Sequence, residues 1–448
     1  MLPPLICVTG LFPTSQDNSE VIQKMADGKV VGLDIGTSMI RVAIGELDPD
    51  TGNIRIAGTA SKKSAGLRNG VIVNIEDAKN AIKETIYAAE QNAGTTVESV
   101  ITAIGGSQIE SQNSRGTVPV SSANKSTKEI SRADVERVIE CATAIKVPDD
   151  REKLHVIPQN YIVDGVGGIQ DPIHRMGTRL EAEVHIVTAA KTIIQNIRSC
   201  ISRADYVLDG VMLKTLAQTQ SVCHQDEMEL GSILIDMGAG TTDVLLLLKG
   251  APIGTFSIPV GGNLVTNDIS VVGGISTAAA EEIKITSGSC WVEGITPETD
   301  MDVLLPGVGG RAPEVMKRSQ LAQIIQARVE QIFTLVKAAL KKNVGDSIKE
   351  LSGNIILTGG GAMMDGVVDL AQKVFHTTSV RLGVPESLGG IEEDYKRPDF
   401  ATVIGLVLAN KSLASGKDKG RRGKAHSARK EKTKGGESFI KKIFKSLF

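Results

Sequence analysis

The sequence has no cysteine pairing pattern, no long apolar run and no basic leader. Its five cysteines (Cys7, Cys141, Cys200, Cys223, Cys290) are scattered, odd in number and free of any C-x-x-C spacing. That argues against a disulfide framework or a cysteine zinc site and fits a reducing cytosol. No apolar stretch approaches the ~20 residues needed to span a bilayer. The mildly apolar start, Met1 to Phe12, lacks basic residues and carries Pro3 and Pro4, with Pro13 just beyond, so it is a poor secretory signal. Residues 1–28 read as a disordered extension, with Met25 a candidate natural start, because the fold signal begins at Lys29.

What is present is enough for several cores. A chain of 448 residues with 41% hydrophobic content points to two to four globular domains. The net charge of −2 hides an asymmetry. Residues 411–448 hold 13 Lys and Arg against 3 Asp and Glu, whereas 1–410 carry a net −12. An acidic body with a basic tail implies an anionic partner for the tail.

The chain is organised around Gly231 to Asp243, GSILIDMGAGTTD. An apolar strand ends at Asp236 and Met237, a turn of small and hydroxyl residues follows, and a second apolar strand runs from Val244 to Leu248. Glycine lets a ligand approach the backbone, and successive turn N–H groups make an anion nest. Asp236 suits a water-coordinated Mg²⁺. Taken alone, the loop is as readily an ordinary hairpin with a glycine-rich turn. The same device recurs at Val31 to Ser38, VGLDIGTS, with Asp34, Gly36, Thr37 and Ser38 before the strand Met39 to Ile44. A third glycine loop, Gly359-Gly360-Gly361-Ala362, follows the strand Asn354 to Leu357.

Around these loops, a helix opened by Asp77 runs through Asn92 to Gly94, and Ser131 with Asp134 makes a capping pattern for a helix to Ala144. Residues 106–185 read as a small α+β insert, with 165–177 as loop. Residues 287–312 also read as loop. Ser319 to Lys342 is an amphipathic helix and Ala401 to Asn410 a closing apolar helix.

Two phosphate-type hairpins far apart in the chain, followed by a glycine loop, resemble the plan of the actin, Hsp70 and sugar-kinase superfamily. Within it the chain resembles FtsA, the actin homologue of bacterial cell division. The resembling segments are Gly66 to Gly70, Leu154 to Gln159, Arg179 to His185, Asp226 to Gly231, Glu281 to Lys284 and Leu357 to Gly361. The resemblance implies an α/β, two-domain actin-like (ribonuclease H-like) fold with an FtsA-type 1C (SHS2-like) insert. Domain I would comprise 29–105, 186–228 and 385–410, with the insert at 106–185. Domain II would comprise 229–262 and 340–384, with a smaller subdomain at 263–339. It implies ATP between the domains. Asp34, Gly36, Thr37 and Ser38 would line one side, and Asp236, Gly238, Ala239, Gly240, Thr241, Thr242 and Asp243 the other. Gly261, Gly262, Glu281, Lys284 and Gly359 to Ala362 would surround the ribose and base, and Asp34 and Asp236 would hold Mg²⁺ through water. Glu281 and Lys284 share a helix face, although such a pair is by default a surface ion pair. Two positions depart from the family: Met39 stands where a lysine is frequent, and His174-Arg175 where Gly-Met is usual. No general base is evident, so ATP is expected to act mainly as a conformational ligand with at most slow hydrolysis.

The last residues, Glu437 to Phe448, read ESFIKKIFKSLF. Phe439, Ile440, Ile443, Phe444, Leu447 and Phe448 fall on one helix face and Lys441, Lys442 and Lys445 on the other. Such a helix lies in the interface of an anionic membrane, with a helix docked on a protein groove as the competing reading. Residues 411–436 are a basic flexible linker without aromatics or a nucleic-acid motif, so nucleic acid is not an expected partner. The expectation is a peripheral protein at the division septum, on the cytoplasmic side of the cell membrane. It would polymerise with itself, tether the FtsZ ring and help recruit later divisome membrane proteins. The competing readings are a PilM-like scaffold of a type IV pilus machine and a small-molecule kinase of the same superfamily.

Overall fold

The structure, a computed structural model, describes residues 28–48, 51–120, 127–344 and 354–411. The extension before residue 28 and the basic linker and terminal helix after residue 411 lie outside the described residues. Two five-stranded sheets dominate. One is ordered Val207–Leu213, Ser99–Ile104, Lys29–Ile35, Met39–Leu47, Ile54–Lys63. The other is ordered Val380–Leu382, Asn354–Thr358, Ser232–Met237, Thr242–Leu248, Ala251–Ile258. In each, three consecutive strands form an antiparallel meander and two later strands join parallel beside the first. The shared topology makes the repeat of the hairpin motif a repeat of a whole sheet. The central strands are nearly continuous apolar runs because both faces are covered.

A third body leaves the first sheet after Ile104. Its four strands are ordered Val166–Ile169, Arg151–Val163, Arg179–Ala190, Ile109–Pro119, and the helix Arg132–Thr143 lies across them over a separate apolar core. The capping box of Ser131 and Asp134 forms as expected. The insert is tied to the second sheet along the strand Ala251–Ile258. Ser111 Oγ donates to Thr255 O (2.8 Å), Asn113 Nδ2 to Ile253 O (2.9 Å) and Gln159 Nε2 to Pro252 O (2.7 Å).

Three local expectations are corrected. Asn74, not Asp77, caps the helix Ile75–Ala93, because its carbonyl oxygen reaches the N–H groups of Glu76 and Asp77. The glycine-rich 165–177 stretch contains the strand Val166–Ile169 and a short pairing of Met176–Gly177 with Lys128–Glu129. The 287–312 stretch contains the strand Asp302–Leu305, which pairs with Glu314–Lys317. Glycine content concealed these strands, because strand propensity is set by neighbours on the sheet more than by the local sequence. The long helix runs Arg318–Val344 and the closing helix Ala401–Ala409.

The helix Lys214–Val222 joins the two halves. Nearly every residue beyond Lys214 is buried, and Leu216, Ala217 and Val222 share a core with Leu234, Leu245 and Leu247 of the second sheet. The closing helix crosses it closely: a Cβ on Gly405 would meet Ala217 O at 1.9 Å, and one on Gly32 would meet Val403 O at 2.5 Å. Gly405→Ala is therefore expected to lower the unfolding free energy by about 1–3 kcal/mol, by overpacking. Urea denaturation checks this; a midpoint equal to the parent's would show that the helices separate freely.

Candidate functional site

The two hairpin turns face each other across the space between the sheets. They are built alike. Gly36 N donates to Met39 O (3.1 Å) in one, and Gly238 N to Thr241 O (2.9 Å) in the other. A Cβ on Gly240 would lie 3.0 Å from Thr37 Oγ1 and 2.8 Å from Asn69 Cα. Only glycine allows that approach. Thr37 Oγ1 accepts from Gly70 N at 2.8 Å, so the Gly66–Gly70 segment braces the first turn. Ser38 is exposed at the turn's rim and its carbonyl accepts from Ser64 N at 2.8 Å.

The helix Gly262–Gly273 is docked on the second hairpin. Gly262 N donates to Gly238 O (3.0 Å) and Asn263 N to Ala239 O (2.8 Å), while Thr242 Oγ1 donates to Val260 O (2.9 Å). A Cβ on Gly261 would sit 2.5 Å from Gly238 O. Lys284 reaches this helix start: its Nζ donates to Thr266 Oγ1 (2.9 Å) and pairs with Glu281 at 2.6 Å, and Glu281 also bonds the Thr266 hydroxyl. Lys284 is thus aimed at the glycine turn, while Glu281 stays partly exposed to solvent. The third loop closes the same end. Gly359 has φ +83° and its ideal Cβ would fall 2.1 Å from Asp236 Oδ1, and Gly361 lies against Met237 in the same way. Ala362 is buried, and Gly360 faces open space. Asp34, Asp236 and the glycine turns of all three loops therefore converge on one region.

Asp34 and Asp236 end equivalent strands, but their cross-strand partners differ. Asp34 lies opposite Arg41 and Asp236 opposite Asp243. Arg41 turns to Asp399 (2.7 Å), which also holds Arg397 (2.8 Å). Asp243 accepts from Gly106 N at 2.9 Å and from Thr241 Oγ1 at 3.2 Å, so it ties the start of the insert to the hairpin. Burial pushes the carboxyl pKa of Asp34 and of Asp243 above the usual carboxylate range, with Lys214 working against this in both.

Sequence reasoning missed Lys214. It is the first residue of its helix, with Nζ 2.7 Å from Asp236 Oδ2. Burial disfavours its ammonium, but Asp236, Asp34 and Asp243 outweigh burial and hold its pKa above the ordinary lysine value. A lysine in a helix's first turn opposes the helix dipole; three carboxylates keep it there. The one sequence signal was the basic residue directly after the apolar strand Val207–Leu213. Asp236 is fully buried and its Oδ1 has no hydrogen-bond partner. Asp34, Asp236 and Asp243 against Lys214 leave the cluster with a formal net charge of −2. Among the described residues no three His, Cys, Asp or Glu side chains are grouped so as to hold a metal directly. The donor set fits a divalent cation held through water by Asp34 and Asp236, and glycine turns that admit phosphate.

Duplicated sheets with opposed hairpin turns define an actin-like fold. Solved structures agree in fold. The type IV pilus PilM–PilN complex matches with a TM-score of 0.60 at 16% identity, over 86% of this chain and 98% of that one. MreB5 of Spiroplasma citri, in a structure bound to ADP, matches with 0.52 at 12% identity, over 86% and 97%. Within that class, the model of cell division protein FtsA matches residues 233–405, and that of the SHS2 domain inserted in FtsA matches 106–188. The chain is 41% identical to cell division protein FtsA of Borreliella burgdorferi over 384 residues, 86% of this chain and 91% of that protein. It is 38% identical to the FtsA of Pseudomonas aeruginosa, over 85% and 88%, and 36% identical to that of Escherichia coli K12, over 86% and 91%. The chain belongs to the FtsA family of cell division proteins.

Proposed function

We propose that this FtsA-family chain binds ATP with Mg²⁺ between its two sheets and polymerises. The polymer fixes the FtsZ ring to the cytoplasmic face of the membrane at the septum and helps recruit later membrane proteins of the divisome. The observation that carries the reading is the convergence of the three glycine turns on the buried Asp34–Asp236–Lys214 cluster. The MreB5 structure with ADP, of like fold, supports nucleotide as the ligand. Asp34 and Asp236 would hold Mg²⁺ through water, and the cation would neutralise phosphate charge. Thr37, Ser38 and Gly238 to Thr242 would position the phosphates. Gly261, Gly262, Glu281, Lys284 and Gly359 to Ala362 would enclose the nucleoside. Phosphoryl transfer depends on positioning and charge neutralisation, and the cleft offers positioning without an evident base, which favours a conformational ligand over a fast ATPase.

The domain division proposed from the sequence is kept, with 263–339 as the subdomain that meets FtsZ. Exposed Val271, Val272, Ile285, Leu304 and Val315 support an interaction surface there. Among the described residues no helix is long and apolar enough to cross a membrane. Attachment is assigned to the amphipathic 437–448 segment. One such segment gains ~1.5–3 kcal/mol per buried apolar side chain but loses ~1–2 kcal/mol per ordered residue, so single tails bind reversibly and a polymer binds by avidity. In liposome co-sedimentation with anionic vesicles, the full chain is expected to pellet with ATP, and deletion of 437–448 to remove most pelleting. Undiminished ATP-dependent pelleting of the deletion variant would end the anchor assignment.

A further inference from the structure

We propose that Lys214 is the phosphate-contacting cation of this cleft, doing from behind the second hairpin what Met39 cannot do from the first. The inference rests on the nucleotide reading above and deepens it.

Three observations lead there. The first hairpin supplies no free cation: Met39 is uncharged, and Arg41 is held by Asp399 at 2.7 Å. Lys284 is already engaged with Glu281 and Thr266 beside the second hairpin's glycine turn. Lys214 stands beside the carboxylates where the hairpins meet, retaining 18% side-chain exposure while Asp236 has none. Its position is fixed from behind. The rest of its helix is buried between the sheets, and beside it lies a cavity of about 10 Å³, with room for roughly one water, bordered by Gly105, Asp243 and Ser257. The backbone therefore cannot retreat, but the flexible four-carbon stem can turn.

The charge arrangement gives the ammonium two stations. At one it pairs with Asp236. Asp34 and Asp236 would hold a divalent cation through water, and its charge would weaken their hold on the ammonium. Lys214 Nζ would then be free to turn to a phosphate of the bound nucleotide. Lys214 thus couples phosphate recognition to cation uptake, and it also places charge on the helix that links the two sheets.

The test compares binding of ATP with Mg²⁺ and of adenosine by calorimetry. Three proteins are used: the full chain, Lys214→Met, and Lys214→Met/Asp243→Asn. The double variant keeps the cluster's formal charge at −2 and keeps a side-chain oxygen for Gly106 N. Circular dichroism melts are run on each. The parent is expected to bind ATP more tightly than adenosine. Both variants should lose ATP affinity on the order of 10–100-fold, the worth of a charge-assisted hydrogen bond, with adenosine affinity within twofold. ATP affinity within twofold of the parent in the folded double variant overturns the assignment. So does an equal loss for ATP and adenosine, which marks a purely structural role. A parent chain that binds neither ligand overturns the nucleotide reading itself, and this inference with it.

Discussion

Gly359→Val is expected to weaken ATP binding on the order of 10–100-fold. Gly359 sits at φ +83°, where side chains other than glycine's are strained, and its Cβ would fall 2.1 Å from Asp236 Oδ1 and 2.8 Å from Met237 O. Asp236 ends a fully buried strand and cannot move without its neighbours, so either the carboxylate or the third loop must shift. Overpacking of this kind costs ~1–3 kcal/mol, on the order of 10–100-fold in affinity where it displaces a group that holds the ligand. Binding of a fluorescent ATP analogue reads the effect. A Gly359→Val protein that melts like the parent and binds as tightly would show that this loop is not part of the nucleotide site.

The second large effect is acid destabilisation through two buried histidines. His185 lies where the insert meets the second sheet. Its Nδ1 is 2.7 Å from Asn113 Oδ1, to which it donates, so Nε2 accepts from Thr255 Oγ1 at 3.0 Å. His155 Nε2 accepts from Leu213 N at 2.8 Å, which leaves Nδ1 protonated, buried and without a partner. Burial pushes His155 down to about 3 and His185 down to about 4. Both are neutral when folded and take up protons near pH 6.5 when unfolded. Their contribution is therefore complete above about pH 6.5 and is lost as pH falls through about 4 for His185 and about 3 for His155. Each loses about 0.7 kcal/mol per pH unit at pH 6.5, rising to ~1.4 well below it, so between pH 6.5 and 5 the pair removes about 3 kcal/mol. Asp34 and Asp243, raised by burial, act oppositely as they protonate, so comparison with a variant isolates the histidine part. His185→Gln should flatten the stability–pH slope by about 1 kcal/mol per unit averaged between pH 6.5 and 5, approaching the ~1.4 of a whole proton at the lower end. Urea unfolding across that range measures it. Parallel slopes for parent and variant would mean that His185 is already charged or exposed.

Both effects arise at junctions, and that is where sequence reading was least informed. Asp34, Asp236 and the glycines of the three loops could be read directly because each motif is local: an apolar strand, an acid at its end, a turn of small residues. The recurrence of that pattern in the second half of the chain also disclosed the fold class, since it recurs with its flanking strands. Lys214 carried no such pattern. It comes after an ordinary apolar strand, and its meaning depends on Asp236 and Asp243 in the next hairpin and on Asp34 near the start of the fold. His155 and His185 likewise sit in segments that support the family resemblance, yet nothing local shows that their rings are buried at the insert's junctions.

The sequence by itself determined the two matched hairpins, the longer helices and the separation of charge between body and tail. These follow from periodicity, turn chemistry and composition, which act over a few residues. Only the tertiary structure decided which charges meet. It set Arg41 on Asp399, Lys214 on Asp236 and Asp243 on Gly106, because packing of the helix Lys214–Val222 between two sheets fixes distances that chain order leaves open. In a buried cluster those distances govern the electrostatics, and so they govern what the cleft can hold.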